Sequence, residues 1–196
     1  YRDLKPENVL FNKDGYILLA DFGLATKVDE KKKLAWSFCG TPEYLAPEML
    51  TGEGHDHTVD WWTLGILLYE MLVGIPPFFD RNRNQMYRSI RNANVTYPIK
   101  ERHNIEVLPV AQDFINKLLI KKKDVRLGRN GLKEILGHPF FAGLDIDALM
   151  EKTIVPLYNP EIKDCEYFDQ KLVQLDDDQI TFTEITGDKK RLIDKN

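Results

Sequence analysis

Residues 1–23 read Tyr1-Arg2-Asp3-Leu4-Lys5-Pro6-Glu7-Asn8-Val9-Leu10-Phe11-Asn12-Lys13-Asp14-Gly15-Tyr16-Ile17-Leu18-Leu19-Ala20-Asp21-Phe22-Gly23. Val9-Leu10-Phe11 and the run 16–20 are short apolar stretches of strand length. Between them Asn12-Lys13-Asp14-Gly15 is a turn sequence whose Asp-Gly pair tolerates positive φ. The stretch therefore predicts a β-hairpin. Antiparallel strands bring the residues just before the first (Asp3, Lys5, Asn8) and just after the second (Asp21) to the same end. Two carboxylates, an amide and an ammonium converge there.

Oxygen ligands of this kind suit Mg²⁺, which takes few protein carboxylates and completes its shell with water and phosphate oxygens. Lys5 would face a phosphoryl group as a point charge. Phosphoryl transfer asks mainly for positioning and charge neutralisation, so a base near a hydroxyl beside a metal-holding pair is a sufficient minimum.

Outward from the hairpin, residues 21–48 hold Gly23, Gly40, Pro42, Pro47 and a charged stretch at 29–33 without sustained periodicity, which predicts a long functional loop. From Asp60 the apolar residues Trp61, Trp62, Leu64, Ile66, Leu67, Leu68, Met71 and Leu72 run nearly all round a helix that stops at Gly74, which places that helix in the middle of a core. Further helices are expected near 84–92, 110–120 and 131–137. After Pro139-Phe140-Phe141 the texture changes to prolines and acidic patches, an extended tail wrapped on a domain. The fold class is α+β, mostly helical with one hairpin.

The chain has 196 residues and a net charge of -4, which argues against a nucleic-acid partner. Cys39 and Cys165 cannot build a disulfide framework, and no run of about 18 apolar residues could span a bilayer. A reducing compartment, cytoplasmic with nuclear entry open, is the expectation. Tyr1 is neither an initiator Met nor the start of a signal peptide, so the chain reads as a piece of a longer protein.

Tyr1-Arg2-Asp3-Leu4-Lys5-Pro6-Glu7-Asn8, then Asp21-Phe22-Gly23, then Ala46-Pro47-Glu48 resemble the signature set of the protein kinases. The resemblance covers residues 1–141 as the C-terminal lobe of a kinase domain, with 142–196 as a C-terminal tail. It implies Asp3 as the residue that accepts the substrate hydroxyl proton, Lys5 as the γ-phosphate contact, Asn8 and Asp21 as Mg²⁺ ligands, and ATP as phosphoryl donor. Lys5-Pro6-Glu7 is similar to the serine/threonine pattern rather than the tyrosine one. Ser37-Phe38-Cys39-Gly40-Thr41-Pro42-Glu43-Tyr44-Leu45 resembles the activation segment of the AGC group, nearest to its protein kinase B and serum-regulated branch.

In that pattern Ser37 is the site at which an upstream kinase acts, and its phosphate would be met by Arg2 and Lys27. Thr41 contacts the catalytic Asp and Lys. Glu7 and Glu70 match positions that bind arginines upstream of the phosphorylated residue. Phe38, Pro42 and Leu45 resemble the apolar pocket for the residue that follows it. Asp60 resembles the buried aspartate that anchors the catalytic loop by its backbone. Leu10, Leu67 and Met71 match the apolar column beneath adenine, and Arg126 the arginine that pairs with Glu48.

The resemblance also implies a Gly-rich phosphate loop, a strand lysine and a helix glutamate. None stands in these residues, nor does the β-rich N-lobe that carries them or the helix that precedes the catalytic loop. This chain alone is therefore expected to be inactive and poorly folded, with much of the 60–72 helix uncovered. The rival reading is a pseudokinase or scaffolding fragment that binds partners through a kinase-like surface, and a second is a neighbouring group such as the calcium/calmodulin-dependent or Aurora kinases. His55-x-His57 reads as a solvated turn and Lys121-Lys122-Lys123 as solvated surface. Tyr158-Asn159-Pro160 and Tyr167-Phe168-Asp169 extend the resemblance to the AGC tail, though Gln170-Lys171-Leu172-Val173 departs from it.

Overall fold

The structure is a computed structural model that describes residues 1–28 and 34–157. The charged stretch at 29–33 and the tail motifs from Tyr158 onward, Cys165 included, lie outside the described residues.

The hairpin forms as its sequence dictates. Strands β1 (Val9–Phe11) and β2 (Ile17–Leu19) pair antiparallel in the register Val9↔Leu19, Leu10↔Leu18, Phe11↔Ile17. The turn is organised by Asn12, whose side-chain oxygen accepts the backbone N–H groups of Asp14 at 3.0 Å and Tyr16 at 2.9 Å. Gly15 supplies the left-handed residue at φ 81°. One further bond, from the Ala20 N–H to the Asn8 carbonyl at 2.9 Å, carries the pairing to the end where Asp21 leaves.

All the rest is helix and loop: α1 (Pro47–Thr51), α2 (Thr58–Val73), α3 (Arg83–Asn92), α4 (Lys100–His103), α5 (Pro109–Leu118), α6 (Leu132–Leu136) and α7 (Ile146–Met150). The expected helices fall within two residues of these bounds. Asn82 caps α3, its side-chain oxygen accepting from the Asn84 and Gln85 N–H groups.

Helix α2 is the axis of the core. Val59, Trp62, Ile66, Leu67 and Tyr69 are buried along it and pack with Tyr44, Leu45 and Met49 from the segment before it and with Met86, Ile90, Ile115 and Leu119. Gly65 lets α5 come close, because a Cβ there would stand 2.8 Å from the Leu119 side chain and 2.9 Å from Leu118. Phe114, Leu118 and Ile135 make a second cluster under Trp61 and Leu64, closed by Phe140 stacked on Phe114 with ring centres 4.9 Å apart.

Three expectations are corrected. Most of α2 is covered, only Met71 and Leu72 near its end standing open; among the exposed apolar side chains are those of the hairpin, where Leu10, Phe11, Ile17, Leu18 and Leu19 are 45–61 % exposed. Packing from α5 and the 44–49 segment suffices to cover α2. Lys121 is not solvated surface: its Nζ has no hydrogen-bond partner and sits 3.9 Å from the Phe78 ring centre and 5.0 Å from that of Trp62. Burial beside these rings, with Arg126 adding repulsion, lowers its pKa to about 8. His55 is buried rather than solvated, because its segment is covered by residues 34–36.

The segment after α7 returns to the hairpin. The Tyr16 hydroxyl donates to the Ile154 carbonyl, and Lys152 Nζ stands over the Tyr16 ring. Among the described residues no helix is long and apolar enough to cross a membrane.

Candidate active site

The loop from Tyr1 to Asn8 enters the hairpin through a short 3-10 turn at Pro6–Asn8, and α2 holds its start. Asp60, in the first turn of α2, accepts the Arg2 backbone N–H at 2.7 Å on one oxygen and the Tyr1 amino group at 3.0 Å on the other. This is the anchoring expected of Asp60, although its side chain is a third exposed rather than buried. Arg2 sits in the left-handed region at φ 74° and its Nε donates to the Leu24 carbonyl at 2.8 Å.

Around Asp3 three sequence-predicted residues converge: Lys5, Asn8 and Thr41. Asp3 is buried; its Oδ1 accepts the Thr41 hydroxyl at 3.0 Å, and its Oδ2 lies 3.0 Å from Asn8 Nδ2 and 3.2 Å from Lys5 Nζ. Lys5 Nζ also donates to Thr41 Oγ1 at 3.1 Å. The second amide hydrogen of Asn8 goes to the Asp3 carbonyl at 2.8 Å. With both hydrogens committed, the amide oxygen of Asn8 is left to meet another group.

Asp21 follows β2 on the side where Asn8 precedes β1. It is exposed, sits at φ 52°, and spends one carboxylate oxygen on the Gly23 N–H at 3.0 Å. The Tyr1 hydroxyl reports on the crowding of charge: it donates to the Ala20 carbonyl, and its pKa is raised by burial first and then by the negative charges of Asp3 and Asp21. Among the described residues no group of three or more His, Cys, Asp or Glu side chains is arranged to hold a metal.

A second acidic site lies around Tyr44. Its hydroxyl donates to Glu70, and burial, that bond, and the charges of Glu70, Glu7 and Glu43 all drive its pKa far up. Glu7 and Glu70, paired in the sequence reading, thus act on one point, and Tyr44 with Glu43 was missed. Both stand in the quoted run 37–45, where only the spacing from Glu70 through the fold could have marked them.

Of the apolar pocket, Phe38 is exposed and Pro42 half-buried, whereas Leu45 belongs to the core. Leu10 and Met71 are open while Leu67 is buried. Ser37 and Lys27 are both exposed. Arg126 makes the expected pair with Glu48: NH1 to Oε1 at 2.7 Å and NH2 to Oε2 at 2.9 Å, both side chains buried. The same guanidinium reaches the carbonyls of Thr58 at 3.0 Å and Ile120 at 3.0 Å, so it fastens α1 to the start of α2 and to the loop after α5.

Residues 1–141 match the family model described as protein kinase domain. The chain is 50% identical over 163 residues to the serine/threonine protein kinase ypkA of Aspergillus fumigatus, an overlap of 83% of this chain and 25% of that protein. It is 47% identical to the serine/threonine-protein kinase gad8 of Schizosaccharomyces pombe over 83% of this chain and 28% of that protein. With the serine/threonine-protein kinase Sgk1 of Xenopus tropicalis the identity is 43% over 89% of this chain and 41% of that protein. The chain thus spans well under half the length of these relatives. The signature residues gathered at the end of the hairpin, the matched 141 residues and the relatives all agree that this chain belongs to the protein kinase family, in its AGC serine/threonine group.

Proposed function

We propose that this chain contributes the C-terminal lobe, residues 1–141, and the tail, 142–196, of an enzyme that transfers the γ-phosphoryl group of ATP to serine or threonine hydroxyls of proteins. The observation that carries the reading is the cluster of Asp3, Lys5, Asn8 and Thr41 joined by bonds of 2.8–3.2 Å, with Asp21 at the same end of the hairpin. A scaffold has no chemical need for these five side chains together.

The donor set fits a hard cation held against phosphate. The Asn8 amide oxygen and the Asp21 carboxylate are oxygen donors on adjacent strand ends, and too few to enclose an ion without help from nucleotide and water oxygens, which is how Mg²⁺ is held. Bound there, Mg²⁺ would neutralise phosphate charge. Asp3 is positioned to take the proton of a substrate hydroxyl. Thr41 and Asn8 fix its carboxylate, and Lys5 supplies positive charge next to it. Substrates are proteins with arginines near the acceptor, drawn to the carboxylates of Glu7, Glu43 and Glu70 around Tyr44. Ser37, exposed ahead of this machinery, is the site for an upstream kinase, and the working location is cytoplasmic.

Asp3→Asn in the full-length protein tests this. Phosphate transfer from ATP to an Arg-containing serine peptide is expected to fall at least about a hundredfold, since general base catalysis and alignment are both lost. Nucleotide affinity should stay near wild type. Unchanged transfer would end the assignment.

A further inference from the structure

His55 ties the loop that carries Asp3 to the segment that leads to Ser37. Its ring is buried, with Nε2 3.3 Å from a guanidinium nitrogen of Arg2. Its backbone pairs with Ala35 in both directions: the Ala35 N–H reaches the His55 carbonyl at 2.7 Å, and the His55 N–H reaches the Ala35 carbonyl at 2.8 Å. The neighbours of Ala35 close on Gly54, where a Cβ would stand 3.1 Å from Leu34 and 3.1 Å from Trp36. Leu34-Ala35-Trp36 therefore lies flat on Gly54-His55, with no room for a side chain at 54, and Ala35 is 2 % exposed.

Arginine has donors and no acceptor, so the ring nitrogen that faces Arg2 can bond to it only by presenting a lone pair. A hydrogen bond between them thus requires a neutral imidazole with its hydrogen on Nδ1. An imidazolium there would set N–H against N–H and cation against cation.

We propose that His55 is a positioning residue: as a neutral imidazole accepting from Arg2, it couples the placement of the 34–36 segment to that of the loop carrying Asp3. Its effect on catalysis rests on the kinase reading above; the coupling itself does not. The surroundings favour the neutral form. Burial pushes the His55 pKa down, Arg2 and Lys123 push it the same way, and Glu48 and Asp56 oppose them. The two acids are already engaged, Glu48 by Arg126 and Asp56 by Arg129 at 2.7 Å. His57 and Asp60 line the adjoining cavity. A base whose folded pKa lies below its unfolded one binds fewer protons when folded, so the coupling is whole above the ordinary imidazole value of about 6.5 and is lost as pH falls through the folded value.

The test uses the full-length protein with His55→Gln, which offers Arg2 an oxygen and does not titrate, and His55→Phe, which fills the space without an acceptor. Amide hydrogen-exchange protection at 35 and 55 and the pH profile of kcat are measured on each. In the wild type both should decline together at acid pH below about 6.5, and His55→Gln should lose that shared decline. His55→Phe should lower protection and kcat about tenfold at neutral pH, the factor carried by one lost hydrogen bond to a charged group, with KM for ATP changed by less than about twofold. An acid decline in His55→Gln equal to that of the wild type overturns the proposal, as does wild-type protection in His55→Phe. An inactive wild type with the expected exchange changes would instead overturn the kinase reading and leave the coupling in place.

Discussion

Asp3 receives the Thr41 hydroxyl on one oxygen and the Asn8 amide and Lys5 ammonium on the other, so its carboxylate has little freedom to turn. Thr41 comes from the loop 38 residues further on, and its hydroxyl both donates to Asp3 and accepts from Lys5. Thr41→Val, which keeps the shape and removes the hydroxyl, is expected to lower kcat about tenfold with a smaller effect on KM for ATP, measured by steady-state kinetics. Glu48 and Arg126 present the opposite case, a pair with no role in the chemistry and a large one in cohesion. Glu48→Gln leaves a buried guanidinium short of its counter-charge and is expected to destabilise the fold by about 3–5 kcal/mol in denaturant unfolding of the full-length protein. The sequence pointed to each of these residues, because their types sit at the spacing of a known signature. His55 and Lys121 were misread, since nothing local in His55-Asp56-His57 or Lys121-Lys122-Lys123 says which side chain the tertiary fold will cover.

The hairpin was legible from its turn, but the agent of the turn was not the expected Asp-Gly pair alone. Asn12 gathers two backbone N–H groups onto one side-chain oxygen, and Asn12→Ala is expected to cost about 1 kcal/mol, read as a lowered midpoint of thermal unfolding. Helix α2 was legible for the same kind of reason: an apolar run between a helix-start aspartate and a glycine stop leaves few alternatives. What covers it was not, because α5 reaches α2 through Gly65, and close approach between residues as far apart in the chain as Gly65 and Leu119 leaves no periodic trace. The three apolar residues Phe38, Pro42 and Leu45 show the same limit. Leu45 packs in the core cluster with Tyr44 and Ala46, a burial that nothing in the run Phe38 to Leu45 announces.

Taken whole, the molecule leaves the apolar side chains of its hairpin open. Leu10 and Leu18 on one face of the hairpin, Phe11, Ile17 and Leu19 on the other, and Phe22 just beyond it are all exposed, a concentration of open apolar side chains that marks surface available to a partner. The 196-residue chain on its own is expected to melt without a sharp cooperative transition and to hydrolyse no ATP, whereas the full-length protein should melt cooperatively and turn ATP over; calorimetry and an ADP-release assay compare them. The central claim is that the hairpin sets Asp21 beside Asn8 so that the two hold a divalent ion against nucleotide phosphate. Its most direct measurement is Mn²⁺ binding to the full-length protein by electron paramagnetic resonance, with and without a non-hydrolysable ATP analogue. The account predicts nucleotide-dependent Mn²⁺ binding in the wild type, weakened about tenfold or more by Asp21→Asn and by Asn8→Ala. Equal binding in the wild type and both variants would contradict it.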